Sequence, residues 1–279
     1  MPDATLRDWL RRATQVLSDA GVGSPRPDAE RLAAHGLGIA WSELWLRLDD
    51  PVQVAPLDAL IERRASHEPL AYITGSVVFW GLEMACGPGA LVPRPETETL
   101  VDVALELTSG SQRAVDVGTG TGAVAVAFAR ERPGAEVWAT DISPDALRWA
   151  DRNVARHAPG VRLVPGDLLG PVPRRLRGSI DLVMSNPPYV PEGRSDLLGP
   201  DVLREPAQAL FAGPDGDEVL VRLVGEAGEA LASDGVLALE VGTPEQAERV
   251  RTLVAGWKAS GVRDDHTGRP RVVWARGPR

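Results

Sequence analysis

Ala114-Val115-Asp116-Val117-Gly118-Thr119-Gly120-Thr121-Gly122-Ala123-Val124-Ala125-Val126-Ala127-Phe128-Ala129-Arg130 is the stretch that decides the fold. Its first four residues read as a short apolar strand broken by one acid. Residues 123–130 read as a helix that is apolar nearly all round, hence buried. The glycines between them permit a tight turn and let a ligand approach the backbone closely. Strand, glycine turn and buried helix form the nucleotide-binding half of a doubly wound sheet.

Outward from this unit the alternation continues, from about residue 93 to the end. Val137-Trp138-Ala139-Thr140, Val161-Arg162-Leu163-Val164, Ile180 to Met184, Val236 to Val241 and Val272 to Ala275 read as strands. Asp217 to Leu231 and Pro244 to Trp257 read as crossover helices. Such alternation predicts an α/β, doubly wound, mostly parallel sheet with helices on both faces. The pairing of the last two strands does not follow from spacing.

The glycine spacing also satisfies the dinucleotide fingerprint through Gly118, Gly120 and Ala123, so a nicotinamide or flavin reading has to be weighed. Asp141 closes the next strand, where an acid roughly 20 residues on would hold a ribose. That position serves NAD or S-adenosylmethionine equally. Asp116 separates the two, because a carboxylate beside a helix N-terminus repels a pyrophosphate. S-adenosylmethionine has no phosphate and carries a sulfonium and an ammonium, while the helix end can receive its carboxylate. A third acid stands in Gly166-Asp167-Leu168-Leu169, where Asp167 or nearby backbone donors would meet an adenine edge and Leu168 would pack on the ring. Any one of these acids alone reads equally well as a cap or solvated turn residue. Together, Asp116, Asp141 and Asp167 favour S-adenosyl-L-methionine, held by the Gly118-Thr119-Gly120-Thr121-Gly122 backbone.

After the apolar run ending at Met184 comes Asn186-Pro187-Pro188-Tyr189. Two prolines fix φ near −65° and remove two donors, and the first also pushes Asn186 out of the α region. The result is a stiff turn at a strand's carboxyl end, where open α/β sheets place their ligands. Its polar groups are the Asn186 amide and the proline carbonyls, which only accept. Such acceptors suit an NH2 group on a substrate. The plain alternative is a rigid loop with a partly buried tyrosine.

The chain thus resembles the class I S-adenosylmethionine-dependent methyltransferases that modify amino or amide nitrogens. Asp116-Val117-Gly118-Thr119-Gly120-Thr121-Gly122, Asp141 and Asn186-Pro187-Pro188-Tyr189 carry that likeness. Tyr72-Ile73-Thr74-Gly75, Phe79-Trp80-Gly81 and Leu91-Val92-Pro93-Arg94-Pro95-Glu96-Thr97-Glu98 sharpen it to the glutamine N5-methyltransferases of peptide chain release factors. Ser24-Pro25-Arg26 through Leu37-Gly38, Glu205-Pro206 and Leu237-Ala238-Leu239-Glu240 fit as well, so the resemblance spans nearly the whole chain. It implies a seven-stranded sheet with one antiparallel edge, and methyl transfer to the glutamine of a Gly-Gly-Gln loop in class 1 release factors. Leu168 departs from relatives that carry an aromatic there, which implies weaker stacking of adenine.

Residues 5–20 place Leu6, Leu10, Ala13, Val16, Leu17 and Ala20 at helical spacing, and Gly21 and Gly23 end that helix. A second helix runs from Ser24-Pro25 to about Gly38, and Trp41–Leu48 and Pro56–Ser66 add two shorter ones. Trp9, Trp41 and Trp45 read as core or partner contacts. Gly75 to Gly89 reads as a β-hairpin. The expected division is therefore a helical substrate-docking domain over 1–72, a hairpin linker over 73–92 and the methyltransferase domain over 93–279.

A single cysteine, Cys86, rules out an internal disulfide, and His35, His67, His157 and His266 lack ligand spacing, so no metal is expected. No run reaches the roughly 20 apolar residues of a membrane span, and Met1-Pro2-Asp3-Ala4 does not begin a secretory signal. A cytoplasmic monomer is expected. Net charge is −9 with Lys258 the only lysine, which argues against direct nucleic-acid binding. Arg174-Arg175 and Arg177 read as a solvated loop.

The expected chemistry centres on Asn186 and Pro187, each accepting one N–H of the target, with Pro188 and Tyr189 along the substrate side chain. Phe79 and Trp80 are candidates for closing the pocket or for core, and Arg94, Glu96 and Glu98 for ordering the cofactor mouth or the domain junction. Glutamine methylation of a ribosomal protein and N6-methylation of adenine in DNA or RNA remain as alternatives.

Overall fold

The computed structural model describes residues 4–110 and 112–278; the chain start Met1–Asp3, on which the reading of a leader rests, lies outside them. Among the described residues no helix is long and apolar enough to cross a membrane. The chain falls into two compact units, residues 1–76 with Leu198–Arg204, and Val77–Leu197 with Glu205–Arg279.

In the first unit, β1 (Ala4–Thr5) leads into α1 (Leu6–Asp19), α2 (Pro25–Leu37), β2 (Pro51–Val52), α3 (Val54–Ala65) and α4 (Leu70–Thr74), with a 3-10 turn over Trp41–Leu46. The Thr5 hydroxyl caps α1 by accepting from Asp8 N at 3.2 Å. Leu6, Trp9, Leu10, Ala13 and Leu17 then fall on the buried face. Trp9 is core, and its indole N–H donates to Asp58 at 2.8 Å. Trp41 and Trp45 face outward, 50% and 48% exposed. Arg64 is buried against Asp28 at 2.8 Å and also reaches Asp201 at 3.4 Å. Arg204 donates to the Ser66 carbonyl at 2.9 Å. Through these bonds Leu198–Arg204, which follows the Asn-Pro-Pro-Tyr turn in sequence, belongs to the first unit.

The second unit opens with the hairpin β3 (Ser76–Phe79) and β4 (Leu82–Ala85). Trp80 and Gly81, at φ 52° and 68°, supply the two positive angles of a type I′ turn. Phe79 and Met84 are buried in this unit's core, so the hairpin is part of it and does not stand apart as a linker. Next come α5 (Glu98–Leu107), β5 (Arg113–Val117), α6 (Ala123–Glu131), β6 (Glu136–Asp141), α7 (Pro144–His157), β7 (Arg162–Pro165), β8 (Ile180–Ser185), α8 (Glu218–Ala230), β9 (Leu231–Glu240), α9 (Pro244–Leu253), β10 (Ala259–Asp264) and β11 (Pro270–Arg276).

These seven strands form one sheet in the order β10-β11-β9-β8-β5-β6-β7. Strands β5 to β9 are mutually parallel, and β11 runs antiparallel to both neighbours. The antiparallel strand is thus second from the edge, not the edge expected from the resemblance. Its reason is local. Asp265 accepts from Thr267 N at 2.8 Å and Arg269 N at 3.2 Å, closing a tight β10–β11 turn that leaves β10 outermost. Strand β10 escaped the sequence reading because its alternation is weak and most of it is exposed.

Alternate residues of each strand go to opposite faces. Ala114, Leu182 and Ala238 meet α5, α6 and α7, whereas Val115, Val183 and Leu237 meet α8 and α9. Both faces are therefore covered, which explains why these strands read as near-continuous apolar runs.

Asn153 of α7, fully buried, ties three pieces together. It accepts from Ala85 N at 2.7 Å and donates to the Ala85 and Thr121 carbonyls, both at 2.9 Å. Asn153→Ala strands those backbone groups, and at 1–3 kcal/mol for each unpaired group a loss of roughly 3 kcal/mol is expected. Urea unfolding checks it; a midpoint unchanged from wild type would show that the bonds contribute nothing net.

Candidate active site

The chain leaves β5 toward β6 and β7 on one side and returns to β8 on the other, so the sheet's topological switch point lies at β5/β8. At the carboxyl ends of these strands opens a cavity of about 310 Å³. The glycine turn forms its floor. Thr119 N donates to the Thr140 carbonyl at 2.9 Å, and Gly122 N to the Thr119 carbonyl at 2.8 Å. Gly122 sits at φ 81°, and a Cβ there would come within 3.3 Å of the Ala150 backbone. Only glycine satisfies both the angle and the close approach of α7.

Asp116 is buried, and its Oδ2 accepts from Thr119 Oγ1 at 2.6 Å and Ala125 N at 3.1 Å. Burial pushes the carboxyl up to about 7, with those two bonds opposing it. Asp141 accepts from Gly120 N through Oδ2 and from Ser143 N through Oδ1, both at 2.8 Å. Burial raises its pKa as well, against the pull of the backbone bonds. Both lone pairs of Asp116 Oδ2 are thus taken within the turn, so any further donor must meet its Oδ1 or the Asp141 carboxylate.

Asp167 lies at the rim, half exposed and paired with Arg222 at 2.5 Å. Leu168 adopts a left-handed φ of 46°, and its carbonyl accepts from Thr140 Oγ1 at 2.9 Å. With Ile142 it adds apolar wall.

The structure splits the Asn186-Pro187-Pro188-Tyr189 turn. Asn186 and Pro188 line the cavity, whereas Pro187 is buried and Tyr189 turns away. Tyr189, expected along a substrate side chain, instead points its hydroxyl at Glu240 Oε1, 3.3 Å away. Its ring fills the space left by Gly242, where a Cβ would stand 2.7 Å from the ring carbons. Burial beside Glu240 pushes the Tyr189 hydroxyl pKa well up. Phe79 and Trp80 do not line the cavity; Phe79 is core, and Trp80 donates its backbone N–H to Glu98 at 2.6 Å.

Several residues with clear structural roles here were given none from sequence, although Thr97, Glu205 and Glu240 lie in segments that carry the resemblance. Thr97 Oγ1 accepts from Asn186 Nδ2 at 3.2 Å. Gln246 donates to the Tyr189 carbonyl at 2.7 Å. Glu205 accepts from Val92 N at 2.8 Å and pairs with Arg94, fixing one wall. Glu240 shares the signal of Asp116 and Asp141, an acid ending an apolar strand, and the same rule applied to β9 finds it. Among the described residues no group of three or more His, Cys, Asp or Glu is placed to hold a metal.

Residues 8–75 match the family model described as the PrmC N-terminal domain, and residues 96–216 the methyltransferase small domain. A release factor glutamine methyltransferase from Corynebacterium glutamicum is 40% identical over 278 residues, covering 98% of this chain and 99% of the relative. The chain belongs to the release factor glutamine methyltransferase family. Its counterpart in Deinococcus radiodurans is 43% identical over 280 residues, covering 97% of this chain and 98% of that one. Among solved structures, a methyltransferase from Pyrococcus furiosus shares the fold, with a TM-score of 0.53 and 23% identity over 71% of this chain and 89% of that one.

A carboxyl whose pKa is higher folded than unfolded binds its proton more tightly in the folded state. The contribution of Asp116 to stability is therefore complete below about pH 4 and is lost as pH rises through about 7. Asp116→Asn, which cannot titrate, should shrink the fall in stability between pH 5 and pH 8. Urea midpoints at the two pH values test this; an identical fall in both proteins would show that Asp116 is not the group responsible.

Proposed function

We propose that the protein transfers a methyl group from S-adenosyl-L-methionine to the side-chain amide nitrogen of a glutamine in a class 1 peptide chain release factor, at its Gly-Gly-Gln loop. The observation that carries this is the Asn186 amide, whose Nδ2 is engaged by Thr97 beside a cavity floored by the glycine turn. Its Oδ1 is thereby the group left to accept from a substrate.

The charge of the cavity fits that cofactor. Its charged lining is Asp116, Asp141, Asp167 and Arg222, with the arginine already paired to Asp167. A wall of net negative charge favours a sulfonium and an ammonium and disfavours a pyrophosphate. Asp141 would hold the ribose hydroxyls, Asp116 and the backbone of 118–122 the amino-acid end, and Leu168 and Asp167 the adenine. Bound there, the cofactor supplies a methyl group on a cationic sulfur.

An amide nitrogen is a weak nucleophile, because its lone pair is delocalised into the carbonyl. Asn186 Oδ1 would accept one N–H and the carbonyl of the otherwise buried Pro187, at its bond to the cavity-lining Pro188, the other, aiming the nitrogen's lone pair and favouring its pyramidalisation. Orientation of this kind supplies up to about 7–11 kcal/mol in the best intramolecular models. Tyr189, with its ring seated at Gly242 and its carbonyl held by Gln246, would keep the turn rigid from behind.

The helical first unit would serve as the docking surface, with the outward Trp41 and Trp45 as contacts. The protein is proposed to act as a cytoplasmic monomer on protein substrates, a net charge of −9 opposing nucleic-acid binding.

Asp141→Ala should weaken S-adenosyl-L-methionine binding by roughly 1.5–3 kcal/mol, the worth of a hydrogen bond to a charged group. Calorimetry checks it, and tight NAD binding by the parent protein would sink the cofactor assignment. Asn186→Ala should keep the cofactor and lose most turnover. Labelled-methyl transfer to intact release factor, ribosomal proteins and unmethylated DNA, followed by mass spectrometry, tests the substrate. A methyl on adenine, or on ribosomal glutamine with none on the release factor, would overturn it.

A further inference from the structure

Glu240, at the end of β9, is 1% exposed, and its Oε2 has no hydrogen-bond partner among the described residues. A buried carboxylate oxygen without a donor is costly, so the side chains around it have to account for it. Four side chains act on this carboxylate. The Tyr189 hydroxyl donates to Oε1 at 3.3 Å. Arg271 of β11, bonded to Asp265 at 3.1 Å, attracts its charge, and Glu96 repels it. The fourth is Thr97, whose hydroxyl is the strongest influence favouring the ionised form against burial.

Thr97 is 5% exposed and stands at the start of α5, yet its side chain does not cap that helix. Its hydroxyl oxygen instead accepts from Asn186 Nδ2 at 3.2 Å. A hydroxyl has one hydrogen to donate. With Nδ2 donating to Thr97, that hydrogen needs an acceptor, and Glu240 Oε2 is the buried acceptor that lacks a donor.

We propose that Glu240, acting through Thr97, is a positioning residue that sets which way round the Asn186 amide is held, keeping Oδ1 toward the substrate NH2. This rests on the proposed role of Asn186 as acceptor. An ionised Glu240 can only accept, so Thr97 donates to it and receives from Nδ2. A neutral Glu240 can donate to Thr97 instead. The Thr97 hydrogen is then released toward Asn186, Oδ1 turns inward to take it, and Nδ2 faces the substrate. Two NH2 groups face to face do not bond. Burial lifts the Glu240 carboxyl to about 7, so the two arrangements exchange close to neutral pH, with the productive one above it.

The test measures kcat and KM from pH 6 to 9 on the full chain, with intact release factor and S-adenosyl-L-methionine, and cofactor affinity by calorimetry. Wild-type kcat should rise through about pH 7, the ionisation of a buried carboxyl. At pH 8, Glu240→Gln and Thr97→Val should each lower kcat about tenfold or more, the loss of one oriented hydrogen bond, with cofactor affinity within about twofold. In Glu240→Gln the rise with pH should vanish, and Thr97→Ser, which keeps the hydroxyl, should retain most of the rate. Wild-type rates in both Glu240→Gln and Thr97→Val would overturn the proposal. So would an unchanged pH limb in Glu240→Gln, or Thr97→Ser as slow as Thr97→Val. Should Glu240→Gln fail to fold, the Val and Ser pair at Thr97 still decides. Absence of methyl on release-factor glutamine with the wild-type protein would overturn the proposed function itself, an outcome visible before any variant is compared.

Discussion

The closure of the turn between β5 and α6 by the carboxylates of buried Asp116 and half-buried Asp141 is the constraint on which the rest depends. Asp116 gathers Thr119 and Ala125 onto one oxygen, and Asp141 takes Gly120 N from the next strand. These bonds hold a glycine-rich segment, otherwise the loosest backbone in the chain, in one conformation. The interaction is self-limiting, because the burial that strengthens each hydrogen bond also raises the pKa of the carboxyl that accepts it. Helix α7 completes the closure from outside, with Asn153 holding the Thr121 carbonyl and Ala150 lying against Gly122.

The Asn186-Pro187-Pro188-Tyr189 turn is built on a different plan. Its prolines give stiffness without donors, so its orientation is fixed by neighbours rather than by its own backbone. Gln246 holds the Tyr189 carbonyl, Glu240 receives the Tyr189 hydroxyl, and Thr97 holds the Asn186 amide. These three residues come from α9, the end of β9 and the segment before α5, so the turn is rigid only once the sheet has assembled. One side of the site is thus locally determined, the other tertiary.

Much of this was legible from residues alone. The alternation of apolar runs and glycine punctuation located β5 to β9 with α6, α8 and α9, since each buried strand carries its own pattern. Strand-end acids located Asp116 and Asp141, because a carboxylate at that position has few uses other than closing a turn or meeting a ligand. Other features were not legible. Strand β10 carries little apolar signal at an exposed edge, and the place of β11 in the sheet follows from a turn tied by Asp265. The inward turn of Tyr189 depends on the absence of a side chain at Gly242, a residue far away in sequence.

The sequence by itself determined the doubly wound α/β unit, the glycine turn with its acids and the acceptor-only tetrapeptide, because these follow from periodicity and from backbone limits that act within a few residues. Only the tertiary structure decided which of the tetrapeptide's groups face the cavity and which residues hold them. Thr97, Glu240 and Gln246 reach that turn across the sheet, and a hydrogen bond between residues so far apart in the chain leaves no local pattern to read.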